Sequence, residues 1–220
     1  MFKKILFATS TTSACDPAAR VAFNISNLYK AHITVFHVIE GKGPDDESKT
    51  KERIAACYAD HFSKTGDHDI KTALGDPCTE ILEEVRKSDP GLLVMGVSTG
   101  GEAGLEDAIK NTESSFQKIV KASRCPVLII NRPAASFWGT ISNVVFATDF
   151  SQVSDKAFDF AALLAKKTKC ELHIFHAQNV SLTPGSKEFT QNAIEERRRE
   201  KLGFSKKNMY RKWKASRIIP

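Results

Sequence analysis

The amino-acid sequence predicts an α/β architecture: a doubly wound, five-stranded parallel sheet followed by an incomplete second copy of the same design. Three observations carry that expectation. With Ile5 laid on Val144, Ile5-Leu6-Phe7-Ala8-Thr9 meets Val144-Val145-Phe146-Ala147-Thr148, and the same ungapped register lays Val35-Phe36-His37 on Ile174-Phe175-His176. Asp16, Ala18, Ala22 and Lys30 meet identical residues at Asp155, Ala157, Ala161 and Lys169. A register held this long without a gap marks an internal duplication. Second, each copy alternates short apolar, β-branched runs with helical periodicity, the order that builds βαβ units and parallel strands. Third, 41% hydrophobic and 26% charged residues give the balance of a folded globular chain.

The first element, Ile5 to Thr9, is a continuous apolar run, as expected of a strand buried on both faces. A Ser- and Thr-rich turn leads to Ala18, Val21, Ala22, Ile25 and Leu28, whose spacing buries one face of a helix. Ile33 to Ile39 is the second strand. After a charged loop at 41–49, Ile54, Cys57, Tyr58, His61 and Phe62 predict one amphipathic helix. Ile70 to Leu74 is a third strand, ending at Gly75-Asp76-Pro77. There Asp76 suits an N-cap and Pro77 the first helical position of a helix through Ile81, Leu82 and Val85. Leu92 to Met95 is the fourth strand, ending at Gly96. A Gly-rich loop and a helix through Phe116, Ile119 and Val120 precede the last strand, Val127 to Ile130.

This reading divides the chain into a complete domain at 1–133, a linker at 134–141 and a truncated second domain at 142–220. The second copy repeats the strand at Val144, the helix through Ala157, Phe160, Ala161, Leu164 and Ala165, and a strand from Leu172 to Ala177. A charged helix at 187–207 and a third strand at 213–219 are expected next. The elements beyond Gly75 in the first copy have no counterpart in the second.

Charge and cysteine content exclude several classes. The formal net charge of +6 comes from the stretch Arg197 to Arg217, with ten basic residues and one acidic residue, so the rest of the chain is slightly acidic. Tyr210 and Trp213 lie among those cations, but the repeat assigns the stretch to a surface helix and a strand, so nucleic acid is not the expected partner. Cys15, Cys57, Cys78, Cys125 and Cys170 are scattered, without a C-x-x-C pair, which argues against a disulfide framework or a zinc site and suggests small core fillers. No apolar run reaches the roughly 20 residues of a membrane span, and the N-terminal run is too short for a signal peptide, so a cytoplasmic location and no membrane partner are expected.

Several segments together resemble the universal stress protein family in its tandem form. They are KKILFATS and NVVFATDFS, ITVFHVIEG and ELHIFHAQN, GDPCTEIL, LLVMGVSTGG and SSFQKIVKASRCPVLII. The resemblance implies a Rossmann-like fold of the adenine-nucleotide α-hydrolase kind and an ATP site at the carboxyl ends of strands one and four. The residues falling there are Thr9, Ser10, Val38, Met95, Gly96, Gly100, Ser114 and Ser115 in the first copy and Asp149 in the second. The residues themselves offer no catalytic group and no metal ligand.

This chain departs from the family pattern in ways that weaken such a site. The acidic position that ends the first strand is Ser10, and only the second copy has Asp149. The glycines after Gly96 are Gly100, Gly101 and Gly104, a stretched spacing, and the expected Gly-Ser is Glu113-Ser114. A carboxylate ~4 Å from a phosphate charge costs about 4 kcal/mol at an effective dielectric near 20. Glu102, Glu106 and Asp107 add to the acidity, so ATP binding is expected to be weak or absent.

Each residue also has a plainer reading. The 96–104 loop works as a strand-to-helix turn, Asp149 as a helix-start residue with Ser151, and Ser10 to Ser13 as turn hydroxyls. His37 and His176 recur together, and a packed strand histidine explains both. No triad, paired carboxylates or ligand cluster supports an enzyme. The leading expectation is a non-enzymatic stress-response factor whose nucleotide site is degenerate in the first copy and incomplete in the second. The alternatives are a nucleotide-independent protein–protein interaction module and an ATP-hydrolysing or adenylate-transferring enzyme of related fold. The expected partner is a second copy of the design: the two halves as a pseudo-dimer, or self-association through the unfinished sheet.

Overall fold

The computed structural model of the chain describes residues 2–10, 16–40, 45–96, 115–130, 141, 143–177 and 199. The chain divides into two compact units, Met1–Gly139 and Thr140–Pro220.

In the first unit β1 (Lys4–Ala8), β2 (His32–Ile39), β3 (His68–Leu74), β4 (Leu92–Gly96) and β5 (Val127–Ile130) form one sheet in the order β3-β2-β1-β4-β5. Every pairing is parallel, with Ala8 opposite Phe36 on one side and Met95 on the other. The central strands carry apolar side chains on both faces because helices cover both. One face holds Leu6, Phe36, Val38, Leu93 and Met95 against Ile81, Leu82 and Val85 of α4 (Pro77–Ser88) and Ile119 of α5 (Ser115–Ala122). On the other, Phe7 meets Phe23 of α1 (Asp16–Tyr29) at 6.4 Å and Tyr58 at 5.8 Å between ring centroids. Phe7 has no exposed surface, and burying a side chain of that size contributes about 1.5–3 kcal/mol.

Local chemistry sets the helix ends. Asp76 caps α4, its carboxylate accepting from the Thr79 amide at 2.9 Å and the Thr79 hydroxyl at 2.8 Å, with Pro77 at the first helical position. Those two bonds, the amide's first, hold the Asp76 carboxyl below its ordinary range. Gly75 precedes the cap at φ +149°, where a Cβ would lie 2.9 Å from Glu80 Oε1. Glycine suits that position for both reasons.

Several expectations need correction. Helix α2 (Asp45–Cys57) begins inside the expected 41–49 loop; its acidic start, Asp45-Asp46-Glu47, favours a helix N-terminus. The helix expected to run through Phe62 breaks at Tyr58, and a separate short turn, α3 (Ala59–Phe62), comes after it. Cys78 and Cys125 are half-buried and pack against the core, as the core-filler reading expects, whereas Cys57 is exposed. Leu28 and Val120, assigned to buried helix faces, are 43% and 47% exposed. The first strand ends at Ala8 rather than Thr9.

In the second unit β6 (Asn143–Ala147) pairs in parallel with β7 (Glu171–Phe175), and α6 (Gln152–Thr168) packs on one face. The strand expected through Ala177 ends at Phe175. The helix face is also turned from the expected one. Phe158, Ala161, Ala162 and Ala165 are buried, Phe160 and Leu164 are half-buried and Ala157 is exposed. On the covered face, Phe158 of α6 meets Phe146 of β6, at 5.5 Å between rings. The opposite face carries Val145 and Phe175, 67% and 57% exposed. In the repeat these match Leu6 and Phe36, which α4 and α5 cover in the first unit. The 134–140 part of the linker, the 213–219 strand and, apart from the helical residue Arg199, the 187–207 helix lie outside the described residues.

Candidate functional site

From β1 the chain crosses to β2 on one side, and later reaches β4 on the other. The strand order therefore reverses between β1 and β4. Crossover connections diverge at such a point and leave a crevice outside the carboxyl ends of the strands. A cleft of about 570 Å³ lies there, within the size range of small-molecule sites. Ala8, Phe36, Val38 and Met95 from three adjacent strands give it an apolar lining, with Ile81 of α4 and Ile119 and Phe116 of α5. Its polar lining is Thr9, Ser10, His37 and Glu40, from the segments leaving β1 and β2.

Thr9 is buried and committed to the protein. Its amide donates to the Phe36 carbonyl at 2.9 Å, and its hydroxyl shares a 2.7 Å hydrogen bond with the Tyr58 hydroxyl. Its carbonyl lies 2.7 Å from His37 Nδ1. A carbonyl only accepts, so Nδ1 carries a proton and donates. Ser10 and Glu40 are exposed at the rim. Among the described lining residues none is a lysine or arginine.

The structure thus brings five of the sequence-predicted residues, Thr9, Ser10, Val38, Met95 and Gly96, to one cleft. Gly100 and Ser114 lie outside the described residues, as do Glu102, Gly104, Glu106, Asp107 and Glu113. Ser115 is the first residue of α5. Asp149 belongs to the second unit, where its Oδ1 accepts from the Ser151 amide at 2.9 Å, a bond that holds the carboxyl below its ordinary range. The turn reading of Asp149 describes that geometry, and Ser151 then caps α6 by accepting from the Ser154 amide.

Sequence reasoning treated His37 as packing, yet it lines the cleft. The duplication carried a usable signal. His176 Nδ1 donates to the Thr148 carbonyl at 2.7 Å, the same atom pair at the same distance as in the first unit. Among the described residues no group of three or more His, Cys, Asp or Glu is arranged to hold a metal, and no helix is long and apolar enough to cross a membrane.

Comparison with known proteins divides the chain in the same way. A model described as the universal stress protein family matches residues 1–131 and again 140–217. A universal stress protein of Methanocaldococcus jannaschii is 26% identical over 147 residues, covering 60% of this chain and 84% of that protein. The crystal structure of a universal stress protein from Archaeoglobus fulgidus DSM 4304 aligns with a TM-score of 0.64 at 21% identity, over 92% of this chain and 72% of that one. A universal stress protein solved in complex with cAMP aligns with a TM-score of 0.47 at 16% identity, over 60% of this chain and 99% of that one.

Proposed function

The chain belongs to the universal stress protein family, and from that premise we propose that it is a cytoplasmic, non-enzymatic stress-response factor whose first unit takes a nucleotide as a regulatory ligand. The observation that carries this reading is the cleft at the β1/β4 switch point, where Val38 and Met95 offer an apolar surface beside the polar ends of β1 and β2. Ala8, Phe36, Ile81 and Ile119 extend that surface to a size that suits a purine base.

Affinity for a triphosphate is weak or absent. Glu40 sits at the rim, no cation is among the described lining residues, and the sequence places Glu113 where the family pattern has glycine. Each carboxylate near a phosphate raises the free energy of the bound state. Isothermal titration of the full-length chain with AMP and with ATP tests this reading. Measurable AMP binding with ATP weaker than micromolar is the expected result. No binding of either would remove the nucleotide reading, and ATP at micromolar affinity or tighter would remove the degenerate-site reading.

The second unit favours an additional role in association. Val145 and Phe175, 67% and 57% exposed, share the face of β6 and β7 that lies away from α6. Apolar side chains gathered this way on a soluble protein mark interaction surfaces.

A further inference from the structure

The duplication sets two strands in the same place with different company. β1 is bonded on both sides, to β2 and β4, whereas among the described residues its repeat, β6, pairs with β7 alone. The Thr148 amide donates to the Phe175 carbonyl at 2.9 Å, as the Thr9 amide does to the Phe36 carbonyl. Alternate residues of a parallel strand turn their main-chain groups to the same neighbour. Phe146 therefore faces β7 as Thr148 does, and Val145 and Ala147 turn their groups to the open side. Their counterparts in the repeat, Leu6 and Ala8, stand opposite Leu93 and Met95 of β4. The strand the sequence predicts at 213–219 lies outside the described residues, and by the repeat its expected place is beside β7, as β3 stands beside β2.

The first unit shows what a protected edge looks like. β3, an outer strand of its sheet, contains Asp69 and Lys71, and Lys51 of α2 and Lys87 of α4 line the groove beside it. Lys71 pairs with Glu84 at 2.9 Å. Charges set along an edge deter a second strand. β6 reads Asn143-Val144-Val145-Phe146-Ala147, with no charge and no proline. Val145 is also exposed on the face turned from α6, so the open edge and a bare apolar side chain coincide there. We propose that β6 is a docking edge for a second copy of this chain, pairing antiparallel with the partner's β6 about a two-fold axis at Val145. The occupant is a second copy because the strand complements itself. In that register Val145 meets its own mate and exchanges both main-chain bonds with it, while Asn143 meets the partner's Ala147, so no like charges are opposed. The two-stranded sheet becomes four-stranded, in the order β7-β6-β6-β7, and the contact closes by symmetry. This assignment rests on the association read from the second unit and adds to it the partner, the edge and the register.

Light scattering, hydrogen exchange and cross-linking of the full-length protein test this. The mass of wild type should rise toward two chains with concentration, and the Val145 and Ala147 amides should exchange roughly ten-fold more slowly in the dimer than at high dilution. Antiparallel mates bonded in this way have Cα atoms about 5.5 Å apart, within reach of a disulfide. Under mild oxidation Val145→Cys should therefore form a dimer linked 145 to 145, identified by mass spectrometry of the digest, and wild type should form no such link. Val145→Lys sets two like charges opposite each other and should weaken association by roughly five-fold. Residue 145 is exposed, so both variants keep the fold. A dimer that lacks either the 145–145 link or the slowed amides overturns the edge and leaves association through another part of the second unit standing. A monomer whose Val145 and Ala147 amides are already protected puts a segment of the same chain on the edge and overturns the assignment. A monomer at every concentration with both amides open overturns the edge and the association reading together.

Discussion

Removing the Tyr58 hydroxyl tests how the cleft edge is held. Tyr58 and Thr9 are 2% and 7% exposed, and their hydroxyls are 2.7 Å apart. Tyr58→Phe keeps the ring against Phe7 and Phe23 but withdraws one partner of a buried pair. A neutral hydrogen bond is worth about 0.5–1.5 kcal/mol net, and stranding its partner away from water raises the loss to about 1–3 kcal/mol. Thr9→Val withdraws the other partner with nearly the same shape and should cost a similar amount. The double variant strands neither, so it should be less destabilised than the sum of the singles by about 1–2 kcal/mol. Hydrogen exchange of the 2–10 peptide reads this directly, because opening of β1 exposes the Thr9 amide now bonded to the Phe36 carbonyl. Each single variant should speed exchange by roughly 5- to 140-fold, since about 1.4 kcal/mol is a factor of ten. A double variant whose acceleration equals the product of the singles would refute the reasoning, because it would mean that the two hydroxyls contribute independently.

Other outcomes can be stated more briefly. Gly75→Ala should lower the thermal midpoint of the first unit by several degrees, because φ +149° is strained for any side chain and costs about 1–3 kcal/mol. The Asp76 carboxyl lies below its ordinary range in the folded state, so its stabilisation is complete above the unfolded value and is lost as pH falls through the lower, folded one. Asp76→Ala should therefore reduce the urea midpoint at neutral pH and flatten its fall in acid, and an unchanged acid limb would remove the cap from the account. Light scattering across a dilution series should show association that Val145→Glu or Phe175→Glu weakens; a constant monomer mass at high micromolar concentration would mean that the exposed apolar residues of β6 and β7 pair with nothing of their own kind.

The strands were the readable part of this chain. Leu6, Phe7, Leu93 and Val94 are buried on both faces of a parallel sheet, so their identity alone announced them. Asp76 and Pro77 were readable because capping is a local matter, settled within the next three residues. The break at Tyr58 was not. No glycine or proline marks it; it coincides with a hydroxyl bond to Thr9, which lies far back in the sequence. Nor could periodicity fix the buried face of α6, because Ala157 and Phe158 both suit a covered position and the pattern alone does not choose between them. His37 was readable as a packed strand histidine, but its partner was not. Its pattern is that of a strand residue, and its contact with Thr9 across two paired strands becomes visible only when register is known. The duplication offered the clue, since the histidine and the threonine recur together.

The position of β1 in the middle of its sheet also governs when it can finish folding during synthesis. One neighbour, β2, emerges within a few dozen residues, so Ile5 meets Ile33 early. The other pairing, Ile5 with Leu92, waits until the chain has grown through β3 and α4. At translation speeds of about 5–20 residues per second, that interval is roughly 3–12 seconds. Throughout it, one edge of an apolar strand has no partner, and an unpaired apolar edge is the feature that invites chaperones or another nascent chain. Synonymous changes that slow the ribosome between β2 and β4 should lower the soluble yield without altering a single residue.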